Sequence, residues 1–173
     1  MPEGPEVKVV TDGMNCFFQD RVLIDVDIIG GRYKTHGPPK KYQEFKNSLP
    51  LEIEKINCKG KFIWFSFKNS EWTIGNLLGM TGSWTYETNL KHNHVEFITD
   101  DKNMYYNDMR HLGQLIFMEN KNELERMLNK RGPDMLSSSV DEFNAIDFIQ
   151  ILRKYNKKKI TVVLMSQNII SGV

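Results

Sequence analysis

Between Val22 and Met118 the apolar residues come in short runs of period two, separated by turn residues. Val22, Ile24, Val26 and Ile28 alternate with Asp25 and Asp27, the pattern of a half-buried strand. Leu51 and Ile53 alternate with Glu52 and Glu54 in the same way. Phe62 to Phe67 and Thr73 to Leu78 flank Lys68-Asn69-Ser70-Glu71 and read as a hairpin. Val95 to Ile98 and Met104 to Tyr106 flank the turn Asp100-Asp101-Lys102-Asn103, and Gln114 to Met118 ends the series. Gly30-Gly31 and the polar stretch through Gly37-Pro38-Pro39 read as a loop. About seven short strands with no helix between them imply antiparallel sheets packed face to face, a two-layer sandwich.

The flanks carry a helical period instead. Val7, Val10, Met14 and Phe17 recur at steps of three and four after Pro5, a residue suited to the first turn of a helix. Beyond Phe117, Asn122 to Asn129 is helix-like and Arg131-Gly132-Pro133-Asp134 breaks it. Asp141 is placed to cap a helix whose apolar face holds Phe143, Ile146, Phe148, Ile149 and Leu152. A further helix is expected from Ile160 to about Asn168. The chain therefore reads as α+β: an N-terminal helix and a two-layer antiparallel β-sandwich, then an all-helical part beginning between residues 120 and 130.

With 173 residues, 40% of them hydrophobic, the chain is large enough to bury a core as one domain or two small ones. Apolar runs such as Phe62-Ile63-Trp64-Phe65 are too short to span a bilayer. No basic, apolar, small-residue leader opens the chain, so an intracellular protein without a membrane partner is expected. Cys16 and Cys58 lie far apart without metal-ligand spacing, which predicts buried thiols and no disulfide, zinc site or other metal centre. A net charge of +1 lacks the basic excess usual in nucleic-acid-binding chains. The charge is nevertheless clustered. Arg32, Lys34, Lys40, Lys41, Lys46, Lys55, Lys59 and Lys61 are opposed only by Glu44, Glu52 and Glu54 over that stretch, and Arg153, Lys154, Lys157, Lys158 and Lys159 form a second group. Clusters of this kind suit a partner gripped in one groove, or simply a solvated face. The closing Ile169-Ile170-Ser171-Gly172-Val173 is apolar, from which we expect a piece of a longer protein, monomeric unless its last helix drives association.

The opening Met1-Pro2-Glu3-Gly4-Pro5-Glu6-Val7 adds chemistry. Methionine before proline is normally removed, leaving Pro2 as a secondary amine, and the reference α-amino pKa of about 8 leaves a sizeable neutral fraction near neutral pH. Amines of this kind form Schiff bases with carbonyl-type carbons and need a nearby acid to protonate the leaving group, a role open to Glu3. An ordinary Met-Pro start with Pro5 opening a helix satisfies the same residues.

Six stretches, taken in order, resemble one family, the formamidopyrimidine-DNA glycosylase and endonuclease VIII enzymes of base-excision repair. Met1-Pro2-Glu3-Gly4-Pro5-Glu6 is similar to that family's opening signature. Gly60-Lys61 before Phe62-Ile63-Trp64-Phe65 resembles its strand-borne lysine, and Leu78-Gly79-Met80-Thr81-Gly82-Ser83 its Leu-Gly-Met-Ser-Gly-Ser turn. Lys91-His92-Asn93-His94-Val95 is similar to its Lys-His-Asp-His element. Asn107-Asp108-Met109-Arg110-His111-Leu112-Gly113 matches its Asp-Pro-Arg-Arg-Phe-Gly loop less closely. Gly132-Pro133-Asp134 through Gly172-Val173 looks like the approach to its helix–two-turn–helix module.

The resemblance implies a division into residues 1–122, a catalytic β-sandwich domain, and residues 123–173, the first part of a helix–two-turn–helix DNA-binding domain. It implies a bifunctional glycosylase with abasic-site lyase activity, acting by β,δ-elimination on damaged DNA without a cofactor. Pro2 would attack C1′ of the damaged nucleoside, Glu3 would act as the sugar-side acid, and Lys61 would set a compact cation against phosphate. Met80, Arg110 and Leu112 would fill the void left by the flipped base, with Arg110 bonding the orphaned partner. His92 and His94 would contact phosphate, and Glu6 would orient the N-terminus or serve the helix dipole. Leu112 replaces an aromatic wedge and Met109 a proline, which leans towards single-stranded or open DNA. The Gly-Asn that follows in the family and its zinc-finger hairpin lie beyond Val173, so this piece is expected to be weakly active or inactive on duplex DNA. The same fold as a catalytically silent lesion-binding or protein-interaction module is the alternative, with Pro2 and Glu3 then dispensable for binding.

Overall fold

The computed structural model describes residues 2–136 and 144–173; the expected cap Asp141 and its neighbour Phe143 lie outside the described residues. Helix α1 (Gly4–Phe18) starts at the N-cap Glu3 with Pro5 in its first turn, where a missing N–H breaks no bond. Its buried stripe is Val7, Thr11, Met14 and Phe18, with the Thr11 hydroxyl donating to the Val7 carbonyl at 2.8 Å. The expected Phe17 lies outside this stripe, half exposed and edge-on to Tyr86; Phe18, four residues beyond Met14, completes the face.

Eight strands follow: β1 (Val22–Ile28), β2 (Leu51–Lys59), β3 (Phe62–Phe67), β4 (Thr73–Leu77), β5 (Gly82–Thr85), β6 (Asn93–Thr99), β7 (Met104–Asp108) and β8 (Gln114–Met118). Their hydrogen-bonded order is β5-β7-β6-β1-β2-β3-β4-β8, with every pairing antiparallel. Only Val22↔Glu52 and Leu23↔Leu51 join β1 to β2, so the order divides there into two halves. The halves close face to face. Phe65 on β3 and Phe97 on β6 have ring centroids 5.6 Å apart, whereas three strand spacings on a flat sheet would separate them by about 14 Å. Trp84 on β5 reaches across as well, with its ring against Phe65 and Phe97 and its indole N–H donating to Asn76 on β4 at 3.0 Å. The expected two-layer sandwich is thus one chain of hydrogen-bonded strands folded over an aromatic core.

Three local expectations fail for physical reasons. A bulge between Leu23 and Asp25 breaks the alternation of β1, so Leu23 and Val26 are buried and Ile24 faces out. Strand β5, paired with β7, was not legible because it is four residues long. The predicted loop contains α2 (Gly31–His36), and α3 (Tyr42–Asn47) follows it; each six-residue helix is anchored by one buried aromatic, Tyr33 and Phe45.

The remaining helices are α4 (Lys121–Leu128), α5 (Ala145–Lys154) and α6 (Ile160–Met165), shorter than expected at its C-terminal end. Asn120 and Asn144 cap α4 and α5 with side-chain oxygens that accept from the first-turn N–H groups. Phe148, Ile151 and Leu152 of α5 pack on Val163, Ile169 and Ile170, a cluster separate from the sandwich core, while Ile146 and Ile149 are exposed. The apolar Ile169-Ile170-Ser171 is therefore buried, and Ser171 bridges to Asp134.

Candidate active site

Three devices converge at one end of the molecule. The first is the start of α1. The Glu6 carboxylate accepts from the Glu3 backbone N–H at 2.8 Å, in a reciprocal capping box that fixes the peptide following Pro2. The second is the β2–β3 hairpin, whose two-residue turn is Gly60-Lys61. Gly60 takes φ +57°, as the first position of such a turn requires. Lys61 therefore projects from the turn instead of from β3 itself, and its ammonium pairs with the Glu3 carboxylate.

The third device is a pair of crossings between the layers. Residues 78–81 run from β4 to β5, and residues 109–113 run from β7 to β8. Leu77↔Gln114 and Gly82↔Asp108 are paired at their ends, so the crossings lie side by side. Gly79, at φ +66°, allows the contact: a Cβ there would sit 2.7 Å from the Leu112 carbonyl carbon.

Between these devices lies a cleft of about 280 Å³ lined by Pro2, Val7, Lys61, Leu77, Leu78, Gly79, Leu112 and Gln114. Pro2, Lys61 and Leu112 thus share one space, with Glu3 on its rim through Lys61. Met80, Arg110 and Leu112 stand exposed on the two crossings. A larger groove of about 780 Å³, between α1, β2 and residues 131–136, contains none of the candidate residues. Among the described residues no group of three or more His, Cys, Asp or Glu side chains is arranged to hold a metal ion.

The histidines behave differently from expectation. His94, expected at phosphate, is buried at 7% exposure behind the Arg110 crossing. Its Nε2 bonds the Asp108 carbonyl at 2.8 Å and its ring stacks on His111 at 4.5 Å. A carbonyl only accepts, so Nε2 carries the proton and Nδ1 is a bare, unpartnered acceptor. Burial lowers its pKa below the ordinary histidine value, against the opposing effect of the carbonyl bond. His92 is half buried, with its ring 6.3 Å from that of His94.

Sequence reasoning passed over Asp108. It is 1% exposed, and its carboxylate accepts from the Thr81 hydroxyl at 2.6 Å, the Gly113 N–H at 2.7 Å and the Arg110 N–H at 3.3 Å. The available signal was an acid at a strand end two residues before Arg110, where Asp commonly binds its own loop backbone. Beneath both crossings lies Tyr106, whose hydroxyl is held protonated by burial and by the nearby Asp108.

Residues 1–115 match the model of the formamidopyrimidine-DNA glycosylase N-terminal domain. The formamidopyrimidine-DNA glycosylase of Ligilactobacillus salivarius is 28% identical over 179 residues, covering all of this chain and 62% of the relative. That of Oceanobacillus iheyensis is 27% identical over 180 residues, covering 61% of the relative. The chain thus spans about three fifths of the length of these curated relatives. Among solved structures, the MutM (Fpg) protein of Thermus thermophilus superposes with a TM-score of 0.79 at 22% identity, covering 99% of this chain and 60% of that one. The Lactococcus lactis Fpg in complex with DNA containing an abasic site superposes at 0.80 and 23%, covering 99% and 62%. At such identities the superpositions speak to fold. The match over residues 1–115, two thirds of the chain, makes it a member of the formamidopyrimidine-DNA glycosylase N-terminal domain family.

Proposed function

We propose that the chain carries the chemical half of a base-excision-repair DNA glycosylase with abasic-site lyase activity. The observation that carries the reading is the shared cleft: Pro2, Lys61 and Leu112 line one space, and Glu3 reaches it through its pair with Lys61. Once Met1 is removed, the Pro2 nitrogen attacks C1′ of a flipped nucleoside and the base leaves with a proton; the C1′–O4′ bond then opens, O4′ taking a proton from Glu3, so that an iminium joins enzyme and sugar. The iminium acidifies C2′; loss of that proton expels the 3′ phosphate, and a second elimination expels the 5′ phosphate. Glu3 shuttles protons on the sugar side. Lys61 opposes the phosphate charge, and Glu6 holds the peptide that aims Pro2. Exposed Met80, Arg110 and Leu112 enter the vacated stack. His92 contacts phosphate at the edge of this surface, while His94 acts from behind the crossing.

On this reading residues 1–122 form the catalytic domain and residues 123–173 the start of a helix–two-turn–helix domain. The partner is damaged DNA inside the cell, bound by a monomer. Leu112 and Met109, weaker stackers than an aromatic ring and a proline, favour single-stranded or open DNA. The assigning experiment is borohydride reduction of the processed chain on an abasic-site oligonucleotide. A covalent adduct is expected, and peptide mapping should place it on the N-terminal residue. Retention of Met1, which locks the Pro2 nitrogen in a peptide bond, should abolish it. An adduct mapped to Lys61 would reassign the nucleophile; DNA binding with no adduct at all would favour a silent lesion-binding module.

A further inference from the structure

We propose that Asp108 is a positioning residue whose buried carboxylate clasps the Met80 turn to the Arg110–Leu112 crossing, so that the three inserting side chains enter DNA as one rigid unit. The proposal rests on the DNA reading above and adds the means by which its wedge is held. The two crossings carry the exposed side chains, yet each is a short connection whose own backbone bonds are few. A relay joins them. The Arg110 N–H donates to the Thr81 hydroxyl at 3.0 Å, and that hydroxyl donates to Asp108 at 2.6 Å. The second carboxylate oxygen takes the Gly113 N–H at 2.7 Å, so both ends of the Arg110–Leu112 segment are tied to one side chain. From behind, His94 Nε2 holds the Asp108 carbonyl, and the His92 carbonyl takes the Asp108 N–H at 3.0 Å.

A carboxylate excluded from water is costly unless donors surround it, and here donors come from both crossings. Neither crossing alone satisfies it. An apolar wedge is effective only when it is held before DNA arrives, since ordering loops and side chains on binding consumes affinity.

The test uses Thr81→Val, Thr81→Ser and Asp108→Asn in the full chain. Asp108→Asn keeps the shape but turns a donor towards donors; Thr81→Val removes the relay, and Thr81→Ser keeps it. Amide hydrogen exchange is expected to accelerate about tenfold or more at Arg110 and Gly113 in Asp108→Asn, the scale of one lost bond to a charged group, and about threefold or more at Arg110 in Thr81→Val, the scale of one lost neutral bond, with the β3 amides unmoved. Adduct formation on a duplex abasic site should fall by a similar factor, while adduct formation on a single-stranded abasic oligonucleotide, which has no stack to fill, should hold. Thr81→Ser should behave as the parent in both assays. Unchanged exchange, or equal loss on single and double strands, overturns the clasp. If the parent forms no adduct on either DNA, the glycosylase reading fails, and the exchange data still decide whether the clasp exists.

Discussion

Glu3 connects folding to the proposed chemistry within one residue. Its backbone N–H is held by Glu6, and its carboxylate both caps α1 and pairs with Lys61. Glu6→Ala should therefore cost about 1 kcal/mol of stability, as loss of a cap partner does, and should slow adduct formation. Glu6→Gln, whose amide oxygen still accepts the Glu3 N–H, should lose much less of either; urea titration and the borohydride assay check both. His94 makes a second residue-scale prediction. Burial lowers its pKa in the fold, so as pH falls below about 6.5 the unfolded chain takes up a proton before the native one does. Stability is thus flat with respect to His94 above that value and declines as pH drops from it towards the lowered native pKa. Denaturation midpoints at pH values either side of 6 should show this slope, and His94→Gln, which still offers a donor to the Asp108 carbonyl, should flatten it. A slope unaltered in that variant places the acid sensitivity elsewhere.

At the scale of elements, the site is made by turns, and turns are fixed by few residues. Gly60 shows the dependence. It lies at φ +57°, and a Cβ would meet Gln167 Oε1 at 2.5 Å and Ser171 Cβ at 2.9 Å. Gly60→Ala should cost about 1–2 kcal/mol from the backbone alone, readable as a lowered urea midpoint, and should draw Lys61 away from Glu3. The strands around these turns were largely legible as short apolar runs bounded by turn residues: β3, β4, β6, β7 and β8 all fall where those runs stand. Alternation misleads at β1, where a bulge at Ile24 reverses it, and it is too brief to read at β5. Helices α2 and α3 span too few turns to show a stripe, since one aromatic anchors each. The residues to which the proposed chemistry falls stand in local motifs and were named from sequence. Asp108 and Thr81 were not, because their bond joins positions 27 residues apart, and only the closed sandwich brings them together. The depth of His94 was not legible either: its motif implies a phosphate contact and gives a residue type without a burial.

Across the whole molecule, the helical part braces the site from outside the sandwich. Asp134 accepts from the Gly60 N–H at 2.9 Å through one oxygen and from the Leu136 N–H at 3.0 Å through the other. Ser171 then stitches the last residues to the same segment, donating its N–H to the Pro133 carbonyl and accepting from Met135. Gly4, at the start of α1, packs so closely on Gly172 that a Cβ would lie 2.4 Å from its carbonyl oxygen. The turn bearing Lys61 and the start of α1 after Glu3 are therefore held by Asp134 and Gly172, whereas the cluster around Val163 is separate from the sandwich core among the described residues. Asp134→Ala removes a charged acceptor from a half-buried N–H, a loss of about 1.5–3 kcal/mol. The small cluster around Val163, Ile169 and Ile170 has far less apolar area than the sandwich to offset that loss. The variant should consequently open in parts: limited proteolysis should cut within residues 132–173 under conditions where the β-sandwich stays intact, and the amides of Gly60 and Lys61 should lose exchange protection with the cut region. Protection retained at Gly60 would show that the hairpin holds its own shape, and the brace would then serve only the helical part.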